Sequence, residues 1–283
     1  MKSNEPKIAV VLGGGGIKPF AAVPLFAFLK ENHIPVNFLV GCSGGSIMAA
    51  FYASGYSPEQ MMKELMPRLK KSMFRPNIRA LLAMAKMPYG RMDRESAFFR
   101  KESIFRLIRE VYGNRMIEDL ETQLILQATD FQTGEGIGLD SGDLATAVYA
   151  SSAIFPFFPP VQVGDRWLFD GVFSAPIPVM QAVRKNADII IVVDFLEKLS
   201  GDPKGPLDSM MHLSKMYAKT IMSNQMALSI DLHTAEIVYF KVRFERYVSL
   251  WETERFPEIL DAGQKVLDRM KPELLSIIGQ YKK

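Results

Sequence analysis

Val36-Asn37-Phe38-Leu39-Val40-Gly41-Cys42-Ser43-Gly44-Gly45-Ser46-Ile47-Met48-Ala49-Ala50 passes from an apolar, β-rich run through glycines into a run of small residues. Val36–Val40 predicts a buried strand, and Gly44–Ser54 a helix that packs closely because its first turns carry almost no side-chain bulk. Between them lies Gly41-Cys42-Ser43-Gly44-Gly45, a Gly-x-Ser-x-Gly sequence in the strand–turn–helix setting that a nucleophile elbow requires. The glycines permit a sharp turn and a close approach of helix to strand. Ser43 then stands at a helix N-terminus, where backbone N–H groups and the helix dipole favour developing negative charge.

Upstream, Lys7–Leu12 predicts another buried strand, ending in Gly13-Gly14-Gly15-Gly16-Ile17-Lys18. A glycine run between a strand and a helix presents several N–H groups to an anion. It is not a P-loop, because Pro19 rather than Ser or Thr follows Lys18. It is not a dinucleotide fingerprint either, because Lys18 and Pro19 occupy the positions where the last glycine would fall. An oxyanion hole remains, with Lys18 adding positive potential. Far downstream, Phe169-Asp170-Gly171-Val172 follows a short strand, Trp167–Phe169, and an aspartate at a strand end can project its carboxylate into a cleft.

The rest of the chain alternates strands and helices. A helix is expected over Pro19–Lys30, kinked or shortened by Pro24. Ser57 and Pro58 open a Met-rich helix carrying Met61, Met62, Met66 and Met73, which Pro67 and Pro76 break into short pieces. Asp93 is expected to cap a helix running to Tyr112. Gln123–Thr129 and Gly136–Leu139 read as strands around a turn, and Asp143–Ser152 as a helix. Val161–Val163 and Trp167–Phe169 flank a hairpin turn at Gly164-Asp165. Pro178–Lys185 reads as a helix and Ile189–Asp194 as an apolar strand; a long helix follows Pro206, then strand Ala235–Val242 and a helix from Phe256. Apolar strands alternating with helices imply an α/β fold of three layers, α/β/α, around a central, mostly parallel sheet. With no repeat or low-complexity linker, residues 1–283 are expected to form a single domain carrying a basic, Met-rich helical insertion at about 56–101.

Taken together these motifs resemble the patatin-like phospholipase family, over nearly the whole chain. The family pattern is a Gly-Gly-Gly-x-Lys/Arg-Gly loop, a Gly-x-Ser-x-Gly elbow some two dozen residues later, and a distant Asp-Gly-Gly/Ala. Here Gly14-Gly15-Gly16-Ile17-Lys18-Pro19, Gly41–Gly45 and Asp170-Gly171-Val172 stand in those places. Ala128-Thr129-Asp130 with Thr133-Gly134, Ala150-Ser151-Ser152-Ala153 and Phe158-Pro159-Pro160 are similar as well. Pro19 and Val172 depart from the pattern: the first removes a backbone N–H, and the second puts a larger side chain beside the aspartate.

The resemblance implies a Ser–Asp dyad without histidine. Ser43 would be the nucleophile and Asp170 the base, with an oxyanion hole from Gly14, Gly15, Gly16 and Gly44. Lys18, Gly41, Gly45 and Gly171 would support them. It also implies ester hydrolysis on lipid acyl groups without a cofactor. Chain order alone leaves a Ser-Asp-His triad open through His212 or His233, although neither is expected on a loop at a strand end as such a triad requires. His33 lies in a helix-to-strand loop. Acyl transfer on the same elbow, or lipid binding without catalysis, are the other readings of this pattern.

Composition sets the outer limits. The 283 residues are 48% apolar and 23% charged, a globular balance, and one cysteine excludes a disulfide within the chain. No metal or other cofactor is expected, since there is no His/Cys cluster. No apolar stretch approaches about 18 residues, so no membrane span is expected. Residues 56–101 hold eleven Lys/Arg against four acids, a surplus of +7 that leaves −4 for the remainder. This asymmetry, mixed with Met, Leu and Phe, fits a partner of the opposite sign: peripheral contact with an anionic membrane, not nucleic acid. A cytoplasmic protein that touches the inner face of a membrane is expected, with the Phe155–Pro160 run lining an acyl channel or packing in the core.

Overall fold

The structure is a computed structural model, and it describes residues 5–68, 75–85, 96–197, 205–232, 235–246, 248 and 252–281. The first strand, β1 (Ile8–Leu12), is buried along its whole length. Its glycine loop leads into a 3-10 turn, Lys18–Ala22, and only then into α1 (Val23–Glu31). Pro24 falls in the first turn of α1, where a missing N–H costs nothing, so the proline delays the helix instead of kinking it. Strand β2 (Phe38–Cys42) and helix α2 (Gly44–Ala53) flank the elbow.

Ser57 caps α3 (Pro58–Gln60) in a reciprocal capping box, and the chain continues through a π turn, Met61–Leu65, and a 3-10 turn, Met66–Arg68. Helix α4 (Ile78–Ala85) and α5 (Lys101–Tyr112) follow. Helix α5 starts at Lys101, not near Asp93, which lies outside the described residues. Strands β3 (Gln123–Asp130) and β4 (Gly136–Leu139) form a hairpin, and α6 (Leu144–Ser152) is capped by Asp143, which accepts from the Thr146 N–H. Arg109 grips the same carboxylate with two hydrogen bonds of 2.6 and 2.7 Å, tying α5 to the start of α6. Strands β5 (Val161–Val163) and β6 (Arg166–Asp170) form the second hairpin. Helix α7 (Val179–Arg184), β7 (Ile189–Glu197), α8 (Pro206–Leu232), β8 (Glu236–Phe244) and α9 (Phe256–Tyr281) complete the order.

The strands form one sheet in the order β5-β6-β3-β2-β1-β7-β8, with β4 also paired to β3. Strands β3, β2, β1, β7 and β8 run parallel, while β4, β5 and β6 make the antiparallel pairings. Alternation along β1 divides the core. Ile8, Val10 and Leu12 join the larger cluster with residues of α1, α2, α6 and α9, whereas Ala9 and Val11 join a smaller one with Val179 and Ala182 of α7 and the partly buried Met222 of α8. Helices therefore cover both faces, giving the three expected layers. The parallel strands β1 and β2 end on one side, which brings the glycine loop beside the elbow at the carboxyl edge of the sheet.

Candidate active site

Ser43 has φ +54° and ψ −126°, a conformation a non-glycine residue holds only when its surroundings enforce it. Hydrogen bonds on both sides of the residue do so, the Ser46 N–H to the Ser43 carbonyl at 2.9 Å among them. The Ser43 N–H donates to the carbonyl and hydroxyl of Ser151 on α6, at 3.0 and 3.2 Å, and the Ser46 hydroxyl donates to the Ser43 carbonyl at 2.6 Å. The glycines around it are there for space. A methyl group on Gly44 would overlap the carbonyl oxygen of Gly16, and Gly41 and Gly45 abut Ser46 and the Leu12 and Gly13 carbonyls in the same way.

Asp170, the last residue of β6, is fully buried, and its N–H donates to the Ala153 carbonyl just beyond α6. The Ser43 hydroxyl donates to its Oδ2 at 2.7 Å, and the Val172 N–H to its Oδ1 at 2.9 Å. Burial pushes the carboxyl up to about 7, against the opposing pull of those two donors. At that value it is poised near neutrality, as a general base should be. Gly171 is needed next to it because a side chain there would run into the Gln127 carbonyl. Val172 keeps its backbone donor, while its methyl group faces Gly14 close to Ser43.

The glycine loop hangs from two carbonyls: Gly13 donates to Val193 at 3.1 Å and Gly14 to Pro176 at 2.9 Å. This corrects the expectation for Gly14, whose N–H is already used and cannot serve an oxyanion. The N–H groups of Gly15, Gly16 and Gly44 have no acceptor among the described residues. Lys18 is buried, with its stem folded against Gly15. Its charge, after that of Lys241, opposes the burial that raises the carboxyl of Asp194 within β7. Pro19 sits in the first turn of the 3-10 segment, where its missing N–H leaves no bond unmade.

Among the described residues, no histidine is a hydrogen-bond partner of Ser43 or Asp170. His212 lies on α8, His33 in the turn after α1, and His233 outside the described residues. Among the described residues no cluster of His, Cys, Asp and Glu could hold a metal ion. Burial, and after it the Asp170 charge, push the Cys42 thiol far up, so it is a poor nucleophile.

Beneath the pair lies a polar ladder that motif reading does not reveal. Thr129 donates to the Asp170 carbonyl at 2.9 Å and meets the Ser174 hydroxyl at 2.8 Å. Gln127 donates to Ser174, Ser151 donates to the Gln127 carbonyl at 2.6 Å, and Gln181 of α7 and Gln225 of α8 brace the far end. The available signal was Gln127 and Thr129 themselves, polar residues inside an otherwise apolar strand.

A family model described as patatin-like phospholipase matches residues 10–183, which takes in the glycine loop, the elbow and Asp170. The chain belongs to the patatin-like phospholipase family. Among patatin-like relatives, an uncharacterized NTE family protein of Mycobacterium tuberculosis is 28% identical over 206 residues, covering 72% of this chain and 52% of its own length. Lysophospholipase NTE1 of Debaryomyces hansenii is 24% identical over 292 residues, covering 95% of this chain and 18% of its own. This chain thus spans about half the length of the mycobacterial relative. Human GIVD cytosolic phospholipase A2, solved with methyl gamma-linolenyl fluorophosphonate, shares the fold at a TM-score of 0.55 and 12% identity, over 100% of this chain and 60% of that one. VipD of Legionella pneumophila does so at 0.53 and 14%, over 94% and 67%.

Proposed function

We propose that this patatin-like protein is a serine hydrolase of lipid acyl esters, of the phospholipase A or lysophospholipase kind, working through a Ser43–Asp170 dyad. The observation that carries the reading is the 2.7 Å hydrogen bond from a strained elbow serine to a buried aspartate. As the Ser43 oxygen attacks the ester carbonyl, its proton passes to Asp170. The resulting oxyanion takes hydrogen bonds from the Gly15, Gly16 and Gly44 N–H groups, donors whose individual loss costs about 3 kcal/mol in comparable sites. Asp170 then returns the proton to the departing alcohol oxygen, leaving an acyl-serine. Water attacks that ester, gives its proton to Asp170 and releases the fatty acid as the Ser43 hydroxyl reforms.

The name of the Debaryomyces relative, a lysophospholipase, supports a single-chain phospholipid as substrate. Acyl transfer on the same elbow would need an acceptor alcohol or thiol in place of water, and the mass of the products distinguishes the two. The surplus of positive charge in residues 56–101 supports contact with an anionic membrane surface.

Incubation with mixed phospholipids and lysophospholipids, with products identified by mass, tests the reading. Free fatty acid is expected from the wild type and none from Ser43→Ala or Asp170→Asn. His33→Ala and His212→Ala are expected to keep most of the activity. Undiminished fatty-acid release from folded Asp170→Asn would rule the dyad out.

A further inference from the structure

Helix α4 is amphipathic in the reverse sense. Successive residues advance 100° around a helix, so Ile78, Leu81 and Leu82 share one side and Ala80 lies opposite. Ala80 is the buried one, at 5% exposure, while Ile78 and Leu82 are 64% and 62% exposed. The small residue faces the protein and the large aliphatic ones face away, contrary to a helix that contributes to a core. The methionines upstream behave in the ordinary way: Met61 is fully buried, and Met62 and Met66 pack against the core. Among the described residues of the basic segment, the outward apolar surface therefore belongs to α4 and not to the turns that carry Met61, Met62 and Met66.

Charge flanks this surface. Arg75, Arg79 and Arg100 are all exposed, and within residues 56–101 the basic surplus is +7. The base of the helix is fixed. Asn77 donates its N–H to the Phe98 carbonyl at 2.7 Å and accepts from the Ala80 N–H at 3.3 Å, while the Arg100 N–H donates to the Arg75 carbonyl at 3.1 Å. This short ribbon is in turn bonded to the loop after α6: Phe98 donates to Pro156 and Phe99 to Phe157, each at 2.9 Å. At the start of that loop, three residues before Pro156, the Ala153 carbonyl receives the Asp170 N–H. A few backbone hydrogen bonds thus connect the foot of α4 to the strand end that carries the aspartate.

The geometry points to α4 as a membrane-docking helix, which inserts Ile78, Leu81 and Leu82 into an anionic bilayer while Arg75 and Arg79 meet its headgroups. An anionic bilayer is the occupant because it satisfies both surfaces at once: hydrocarbon takes the aliphatic side chains, and negative headgroups take a strip with a basic surplus. Anchored beside the loop at the end of α6, the docked helix holds the membrane next to the dyad. This role rests on the hydrolase reading for its purpose, but not for its detection.

The test is made on the full chain carrying Ser43→Ala, so that no lipid is consumed. Co-sedimentation with vesicles of phosphatidylcholine, alone or mixed with phosphatidylglycerol, measures partitioning. Binding is expected to favour the mixed vesicles and to weaken as salt screens the headgroups, whose field decays over about 10 Å at 0.1 M. Ile78→Ser with Leu82→Ser is expected to lower partitioning by about tenfold or more, since two aliphatic side chains no longer leave water. Arg75→Glu with Arg79→Glu is expected to abolish the preference for mixed vesicles. Leu82→Trp is expected to shift its emission to the blue when mixed vesicles are added. Partitioning unaffected by the Ile78/Leu82 pair, no emission shift at position 82, or self-association through α4 in place of vesicle binding would each overturn the proposal. Failure of the wild type to hydrolyse a soluble short-chain ester would instead count against the hydrolase reading, leaving the binding result to stand by itself.

Discussion

In the proposed dyad Asp170 has to be ionised to accept a proton, yet its burial holds the carboxyl up to about 7. The rate of ester hydrolysis is therefore expected to rise with pH along a single limb centred near that value. The same shift has a consequence for stability. An aspartate in an unfolded chain ionises near about 3.9, so between there and about 7 the folded state binds more protons than the unfolded one. Stability contributed by this group is thus present at low pH and is lost as pH rises through that window. Asp170→Asn, which cannot ionise, is expected to be inactive but more stable than the wild type near pH 8, by up to about 4 kcal/mol, and to lose that advantage near pH 4. Thermal melts of the two proteins across this range check the sign; an Asn variant that gains nothing at the higher pH would show that the carboxylate is better solvated than its burial implies.

Among the elements, the glycine loop is where the chemistry depends most on backbone. Gly13 and Gly14 spend their N–H groups on Val193 and Pro176, which leaves those of Gly15, Gly16 and Gly44 as the donors for the proposed oxyanion hole. Pro19 stands outside that set, in the first turn of a 3-10 segment. Pro19→Gly is accordingly expected to leave kcat nearly unchanged. A fall of more than about tenfold with unaltered stability, roughly 1.4 kcal/mol of transition-state energy, would mean that the proline shapes the hole. Much of this level was legible in the sequence, because strand, turn and helix around Ser43 and the hairpin at Gly164-Asp165 are specified by neighbouring residues. The less legible parts depend on distant partners. That Gly14 is already engaged follows from Pro176, far along the chain, and that Ser151 holds the elbow follows from α6 packing beside α2. The start of α5 at Lys101 was likewise hidden, since Arg100 offers no side-chain cap to mark it.

At the scale of the molecule, the mostly parallel sheet gathers residues from three separate stretches at one edge. The loop after β1, the elbow after β2 and the end of β6 meet although Ser43 and Asp170 are 127 positions apart. Their juxtaposition could be inferred from the sequence only through family resemblance, since no periodicity reports that β6 lies beside β3. No helix among the described residues is long and apolar enough to cross a membrane. On the proposed reading, a lipid substrate is met at a bilayer surface. The basic strip and the outward face of α4 offer the means. All of this has a purpose only if Ser43 is a nucleophile activated by Asp170. The most direct measurement is intact-protein mass after treatment with an alkyl fluorophosphonate, followed by peptide mapping. A single adduct on Ser43 is expected, forming in the wild type faster at pH values above about 7 than below, and at a greatly reduced rate in Asp170→Asn. No adduct on Ser43, or one that forms equally fast without the aspartate, would contradict the dyad.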